Sequence, residues 1–384
     1  MTAPRQIVTM VDSLLAGGAE RVAVELACGL DRERFTPHLL VTRADGPLRE
    51  LAERADVPIT FLKRDGGRLA LGPWRTAHKL LAADADLLHA HKFGSNAWGA
   101  LLARTAGVPL IAHEHNFSEE PSRSRSVISR RWIGGVAERV LCVSDSVAQV
   151  ERANGVPESI LEVVPNGVRT DGAWPRAKAR EALRLNDRSF TIGIVGRLRP
   201  EKAHEVLLEA VAKLARVGRD VRVCVVGDGP RRAELGLLAA KLGIDQRVTW
   251  AGERRDAATL AGAFDAAVLC SHWEGMPLAA LEAMAAGVPL VATSVGGLPD
   301  LLGGGAGMLV PPNDPTALAT ALAKMMDSPE ATARIAACGQ RRIVQQYSFE
   351  GMVQRIEGIY DLVLAERDAR RGRAVTTDAA REAA

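Results

Sequence analysis

Aromatic residues are scarce in this chain: seven Phe, six Trp and two Tyr among 384 residues. So few rings argue against the stacking platforms that bind single-stranded nucleic acid. Charge of either sign is nearly balanced, 49 Lys and Arg against 46 Asp and Glu, which gives no general field for a polyanion and no expectation of a nucleic-acid partner. Cysteine is sparse and dispersed at Cys28, Cys142, Cys224, Cys270 and Cys338, without a Cys-x-x-Cys pair. That pattern excludes a zinc ribbon or a disulfide framework and fits a reducing cytosol. Long apolar runs of bilayer-spanning length are missing, and Met1-Thr2-Ala3-Pro4-Arg5-Gln6 leads directly into a strand with no secretory core. The expectation is a cytoplasmic protein, at most peripheral on the inner face of a membrane. Also missing are the Gly-x-Gly-x-x-Gly fingerprint, the Walker lysine, a Gly-x-Ser-x-Gly elbow and an Asp-x-Asp at the carboxyl end of a strand.

What is present is an alternation of short β-branched runs with longer Ala/Leu-rich stretches, the pattern of parallel βαβ units. Strands are expected at 7–11, 38–42, 87–89, 110–113 and 140–144. A second series is expected at 191–196, 221–227, 247–252, 267–270 and 290–293. Both series open with a strand, a glycine-bearing turn and a helix, and Val164-Pro165-Asn166-Gly167-Val168 marks a turn between them. The fold class is therefore α/β, with two facing Rossmann-like doubly wound domains that take a ligand at the carboxyl ends of their strands. The expected division is a first domain over 1–168, a linker over 169–188 and a second domain over 189–346. A helix over 347–367 crosses back to the first domain, and 368–384 forms a loose tail.

The most informative segment is Ser271-His272-Trp273-Glu274-Gly275-Met276-Pro277-Leu278-Ala279-Ala280-Leu281-Glu282. Pro277 suits a first helical turn, because that turn has no use for the amide hydrogen that proline lacks. Glu274 then stands in the loop before the helix and Glu282 on the helix itself. Between the two carboxylates lie free amides and the positive end of the helix dipole, a cradle for phosphate. A diphosphate with hydroxyl-bearing groups at both ends, a nucleotide sugar, suits that arrangement. The plain alternative is one solvated loop acid and one surface acid, but the helix is apolar nearly all round and an unpartnered buried carboxylate is costly.

Other segments point the same way. Gly17-Gly18 after the first strand permits close backbone approach to a ligand. Gly196-Arg197-Leu198-Arg199-Pro200-Glu201-Lys202 sets a guanidinium fork and a movable ammonium beyond a strand of the second series, with Arg199 read as solvated. Val226-Gly227-Asp228-Gly229-Pro230 is a strand-end turn. His89, His91, His113 and His115 cluster near strand ends, but their mixed spacing argues against a metal. Two basic groups, Lys63, Arg64, Arg68, Arg75 and then Arg123, Arg125, Arg130, Arg131 beside Trp132, fit either solvated loops or contact with an anionic acceptor or acidic lipid.

Together these segments resemble the retaining glycosyltransferases of family 4, which have the GT-B fold. The resemblance covers about residues 5–365. It rests on Gly-Gly-Ala-Glu at 17–20, Pro-Asn-Gly-Val at 165–168, Gly-Arg-Leu with Glu-Lys at 196–202, and Gly-Asp-Gly-Pro at 227–230. Glu-x7-Glu at 274–282 and Gly-Val-Pro-Leu-Val-Ala at 287–292 complete it. The resemblance implies that Arg197 and Lys202 bind the donor diphosphate, that Glu274 stands beside the donor sugar, and that Glu282 holds the ribose hydroxyls. It further implies a donor contact for Gly17, Gly18, Asn166, Gly275, Met276, Pro277 and Leu278, and a histidine at the reacting centre, His115 with His113 as competitor. Ala203 and Asp300 replace residues usual in the family, a glycine and a glutamate. The implied reaction moves a sugar from a nucleoside-diphosphate-sugar to a hydroxyl acceptor by front-face attack, with no metal and no further cofactor. A lipid-linked or cell-envelope glycan is the favoured acceptor, with peripheral contact to an anionic membrane. The rival readings are a small secondary-metabolite acceptor, a nucleotide-sugar epimerase or hydrolase, and a non-catalytic binding module.

Overall fold

The computed structural model describes residues 3–64, 71–116, 123–186 and 188–382, so Arg68 of the first basic group lies outside the described residues. The chain divides into two units, one of residues 1–165 with 352–384 and the other of residues 166–351.

In the first unit, seven strands form one parallel sheet: β1 (Arg5–Ser13), β2 (Phe35–Ala44), β3 (Ile59–Phe61), β4 (Leu87–His91), β5 (Leu110–Glu114), β6 (Arg139–Cys142) and β7 (Leu161–Val163). Their order is β3-β2-β1-β4-β5-β6-β7. The order reverses between β1 and β4, which pair with Ile7 beside Leu87 and Met10 beside Ala90. Ligands of open α/β sheets bind outside the carboxyl ends of the strands at such a reversal. β4 and β5 are buried along their whole length, as strands covered on both faces require. Asp86, just before β4, accepts from the Gln6 amide at 2.8 Å and pairs with Arg5, so it ties together the amino-terminal ends of β1 and β4.

The second unit carries a six-stranded parallel sheet: β8 (Phe190–Val195), β9 (Val221–Val226), β10 (Val248–Gly252), β11 (Ala266–Leu269), β12 (Leu290–Thr293) and β13 (Met308–Val310). The order is β10-β9-β8-β11-β12-β13, with its reversal between β8 and β11. Ile192, Val223, Val268 and Val291 fill the core between the sheet and the helix His204–Arg216, whose Leu207, Leu208 and Val211 face inward.

Three boundaries differ from the sequence expectation. Asn166 belongs to the second unit, because its side-chain amide donates to the Met276 carbonyl at 2.8 Å. The stretch expected as an irregular linker contains the helix Arg176–Ala182, fixed by Arg180 donating to the Ala263 carbonyl at 2.8 Å. The last helix runs over Phe349–Glu382, so the stretch read as a tail continues it. From Met352 onward this helix is part of the first unit. Tyr360 packs edge-on against Phe35 and hydrogen-bonds His89 at 2.6 Å, while Glu357 accepts from the Asp31 amide and pairs with Arg34. Asp368 and Arg370, inside the expected tail, pair with Arg5 and Glu138.

Candidate active site

In the second unit two loops leave the carboxyl ends of neighbouring strands at the sheet reversal. The loop after β8 is shaped by its neighbour after β9. Gly227 stands at φ +146°, and a Cβ there would come within 2.0 Å of the Gly196 carbonyl oxygen. The Leu198 amide donates to the Asp228 carbonyl at 2.9 Å. Gly227-Asp228-Gly229-Pro230 is thus a brace that holds the 196–202 loop. Leu198 is buried as the pin of that loop, which leaves the flanking Arg197 and Arg199 exposed. Among the described residues Arg197 makes no side-chain hydrogen bond or ion pair. Lys202 ends a single 3-10 turn, and Ala203 after it takes the left-handed conformation, φ +45° and ψ +44°. Here the family's usual glycine would be free of strain; the alanine instead buries its methyl completely.

The loop after β11 carries Glu274. Its carboxylate is almost fully buried and forms an ion pair with the Lys202 ammonium. The Ser271 hydroxyl donates to the same carboxylate oxygen at 2.7 Å, and the Ser271 carbonyl accepts from the Thr293 hydroxyl at 2.7 Å. The His272 amide donates to the Glu201 carbonyl at 2.8 Å, which ties the two loops together. Gly296 closes the far side at φ +57°, where a Cβ would lie 1.7 Å from the Glu274 carbonyl oxygen. The Gly297 amide donates to the Gly275 carbonyl at 2.9 Å, and Asn166 fastens the carbonyl of Met276.

The helix that follows spans Leu278–Ala285, with Pro277 as its N-cap at ψ 124°. Proline therefore sits one residue earlier than the first-turn position expected from sequence. Its fixed φ is compatible with both, and the extended ψ is what lets the chain turn in from the loop. The amides of Leu278 and Ala279 head the helix without intrahelical acceptors, as every helix start requires. Glu282 lies one turn along and is half-buried, bordering a mostly apolar hollow with Gly193, Val195, Ala261 and Phe264. Asn166, Lys202, Glu274, Gly275 and Met276 are thus joined by direct bonds in one assembly, with the Leu278 helix start and Glu282 continuing from it.

The first unit holds the remaining residues of interest. Gly17 caps the helix Gly18–Gly29 with extended backbone, and a Cβ on it would meet the Glu20 carboxylate at 2.2 Å. Glu20 pairs with Lys92 at 2.6 Å. Lys92 follows β4 at φ +73° and ψ +149°, a region nearly reserved for glycine. No sequence signal marks this residue, and sequence reasoning missed it. Four imidazoles stack beside it: His89 on His113 with centroids 5.4 Å apart, His113 on His115 at 4.3 Å, and His91 bonded to His115 at 2.9 Å. Burial depresses all four, His113 to about 3, so the rings are neutral near pH 7. His115 reaches further toward solvent than His113, 8% against 0% exposed.

Among the described residues, His89, His91 and His113 form one group whose ligand atoms lie within 4.8 Å of one another. Also beyond the sequence reading is a buried acid pair. Glu114 accepts from Asn96 at 2.8 Å, and Arg125 reaches Glu114 at 3.7 Å and Glu151 at 3.5 Å. Burial, and then the charge of Glu151, push the Glu114 carboxyl up to about 8.

Two family models match the chain in tandem: "Glycosyltransferase Family 4" over residues 16–171 and "Glycosyl transferases group 1" over residues 175–342. A D-inositol 3-phosphate glycosyltransferase of Saccharomonospora viridis is 32% identical over 89% of this chain and 82% of that protein. The Escherichia coli UDP-Gal:alpha-D-GlcNAc-diphosphoundecaprenol alpha-1,3-galactosyltransferase is 27% identical over 91% of this chain and 95% of its own. In fold, the chain is similar to Anabaena Alr3699/HepE, solved in complex with UDP-glucose, with a TM-score of 0.83 at 24% identity over 93% of this chain and 99% of that one. Two parallel Rossmann-like sheets, each with its reversal point, and a tandem match to both halves of one family make this chain a glycosyltransferase of family 4 with the GT-B fold.

Proposed function

We propose that the protein transfers a hexose from a UDP-hexose to a hydroxyl acceptor with retention of anomeric configuration and without a metal ion. The observation that carries this reading is the braced Lys202–Glu274 pair, set directly before the Leu278 helix start, with the exposed Arg197 in the same loop as Lys202. Arg197 and Lys202 are the cations for the diphosphate, assisted by the amides of Leu278 and Ala279. Glu282 accepts from the ribose hydroxyls. Glu274 stands beside the sugar, with Gly275 and Met276 supplying backbone close to it, and Gly17 and Gly18 allow the first unit's loop to approach phosphate. His115 is the proposed histidine of the reacting centre. UDP is the favoured nucleotide because the names of the Escherichia coli relative and of the HepE complex both carry it.

In the proposed step the bond from the anomeric carbon to the diphosphate oxygen breaks as the acceptor oxygen bonds to that carbon on the same face. The acceptor proton passes to the departing phosphate oxygen, whose charge Arg197 and Lys202 stabilise. The acceptor we favour is a lipid-borne glycan, supported by the diphosphoundecaprenol acceptor named for the Escherichia coli relative and by the outward-facing arginines around Trp132. A small soluble acceptor is the second reading, supported by the D-inositol 3-phosphate named for the relative at 32% identity. Incubation with UDP-hexoses and both acceptor classes, with NMR of the product, tests the proposal. Retained configuration and activity undiminished by EDTA are expected; inversion or loss of activity with the chelator refutes it.

A further inference from the structure

One face of the first unit combines features that the donor site leaves unexplained. The helix Arg123–Ile128 passes directly into a π-helical turn, Ser129–Ile133, closed by the Gly134 amide donating to the Ser129 carbonyl at 2.7 Å. Such wide turns are rare and concentrate at functional sites. The segment is anchored from beneath. Arg125 points inward, stacked 4.3 Å over the Phe93 ring and reaching Glu114 and Glu151, while Ser129 and Ile133 are buried. Its outward side carries Arg123, Arg130 and Arg131 with two apolar residues left in solvent, Val127 at 44% and Trp132 at 48% exposure.

Next to Trp132 the surface opens into a cavity of about 220 Å³ between this turn and the helix Phe93–Ala106. Its walls are Ala100, Leu101, Val136 and the Trp132 ring, and two guanidinium-bearing residues, Arg104 and Arg131, line it as well. Among the described residues neither Arg104 nor Arg131 has an acidic partner, whereas Arg125 and Arg139 in the same unit each do. An apolar slot flanked by two uncompensated cations and an exposed indole has the chemistry of a lipid–water boundary. The indole favours the headgroup level, the cations attract phosphate, and the slot takes the chain that leaves it.

We propose that this cavity binds the phosphate and proximal acyl chain of an anionic phospholipid, and that the Arg123–Trp132 segment docks the enzyme on a membrane surface. The occupant is a bilayer lipid rather than the donor or a free anion. The slot is lined by the second half of the Phe93–Ala106 helix, from Ala100 to Arg104, about 10–16 Å along its axis from the end that meets β4. It is therefore an anchoring site separate from the reacting centre. The inference deepens the reading of a lipid-borne acceptor and rests on it for its purpose, though not for its chemistry.

Co-sedimentation of the full-length protein with phosphatidylcholine vesicles, with and without phosphatidylglycerol, tests it. Wild type should bind only the anionic vesicles, and less so at high salt. R104Q together with R131Q should lower the partition coefficient about twenty-five-fold, from about fivefold per cation, and W132A by about three- to tenfold. R32Q, at an exposed arginine whose partner is the Ala55 carbonyl, should bind as wild type. UDP binding by titration calorimetry and hexose transfer are measured on the same preparations. Absence of vesicle binding by wild type, R104Q/R131Q binding unchanged, or complete displacement by inorganic phosphate each overturns the lipid site. Intact vesicle binding with UDP bound but no transfer leaves the lipid site standing and overturns the transferase reading instead.

Discussion

Replacing Glu274 by glutamine removes one negative charge while keeping the shape that Ser271 and Lys202 hold in place. Because the carboxylate is already paired with the ammonium proposed to receive the diphosphate, its loss acts on UDP and on turnover in opposite directions. A carboxylate and a phosphate that share one ammonium stand about 6 Å apart. Their repulsion is about 1.4 kcal/mol at an effective dielectric near 40, between the surface and bulk-water values. Screening reduces this further in this partly open site. E274Q should therefore bind UDP about three- to tenfold more tightly than wild type. Turnover should fall, because the charge beside the developing positive anomeric carbon is gone. E282A should do the reverse for binding. Losing hydrogen bonds to a charged group costs about 1.5–3 kcal/mol, so UDP affinity drops about ten- to a hundredfold. Titration calorimetry with UDP and steady-state kinetics on both variants measure this. Equal weakening of UDP by the two changes, or no effect from either in a folded protein, would falsify the assignment of Glu274 and Glu282 to sugar and ribose.

Acid should unfold the protein early. His113 and His204 are depressed by burial to about 3 and about 4, so between these values and the unfolded 6.5 the unfolded chain binds more protons and stability is lost as pH falls. At pH 5 the pair costs about 4 kcal/mol relative to neutral pH, at about 1.4 kcal/mol per unit for each. His89, His91 and His115 add in the same direction; a melting temperature unchanged from pH 7 to pH 5 by circular dichroism refutes this. G296A meets the Glu274 carbonyl at 1.7 Å with φ +57°, so it should abolish UDP binding and destabilise by more than about 2 kcal/mol. Wild-type UDP affinity in that variant would show that the Glu274 loop does not set the donor site. Y360F leaves His89 buried without its 2.6 Å partner and should lower stability by about 1–3 kcal/mol in urea titration, with UDP affinity unchanged.

Where a residue's contribution is written into its own type and spacing, the sequence was readable. The buried strands β8 and β9 announced themselves by β-branched runs, and Gly227 by the strand-end glycine that a +146° backbone needs. The three strands that went unrecognised, β3, β7 and β13, have three residues each, too few to display any period. They are recruited by pairing with a longer neighbour: Leu39 to Val41 align Ile59 to Phe61, and Val140 to Cys142 align Leu161 to Val163. The continuation of the last helix past 367 was hidden for a related reason. Its composition shows no apolar stripe there, and the described contacts include the ion pairs of Asp368 and Arg370 with residues more than 200 positions away.

The site divides along the same line. Glu274 and Lys202 could each be picked out, but their union depends on Ser271, on the His272 amide reaching Glu201, and on the space that Gly296 leaves empty. None of these has a side-chain type that announces the role. Lys92 is the sharper case. A backbone at φ +73° and ψ +149° costs a side-chain-bearing residue about 1–3 kcal/mol, and glycine would remove that strain. An exposed ion pair rarely offsets such a strain. Glu20, however, is nearly buried beneath the Gly17-Gly18 turn, and an unpartnered carboxylate there is costly in its own right. Strain at the lysine and burial of the glutamate are therefore one arrangement: the chain is bent at the end of β4 so that a cation reaches under the glycine turn. What fixes Lys92 is the demand of Glu20, 72 residues earlier, and a demand of that kind becomes visible only when β1 and β4, the strands that lead into the two residues, have been laid side by side.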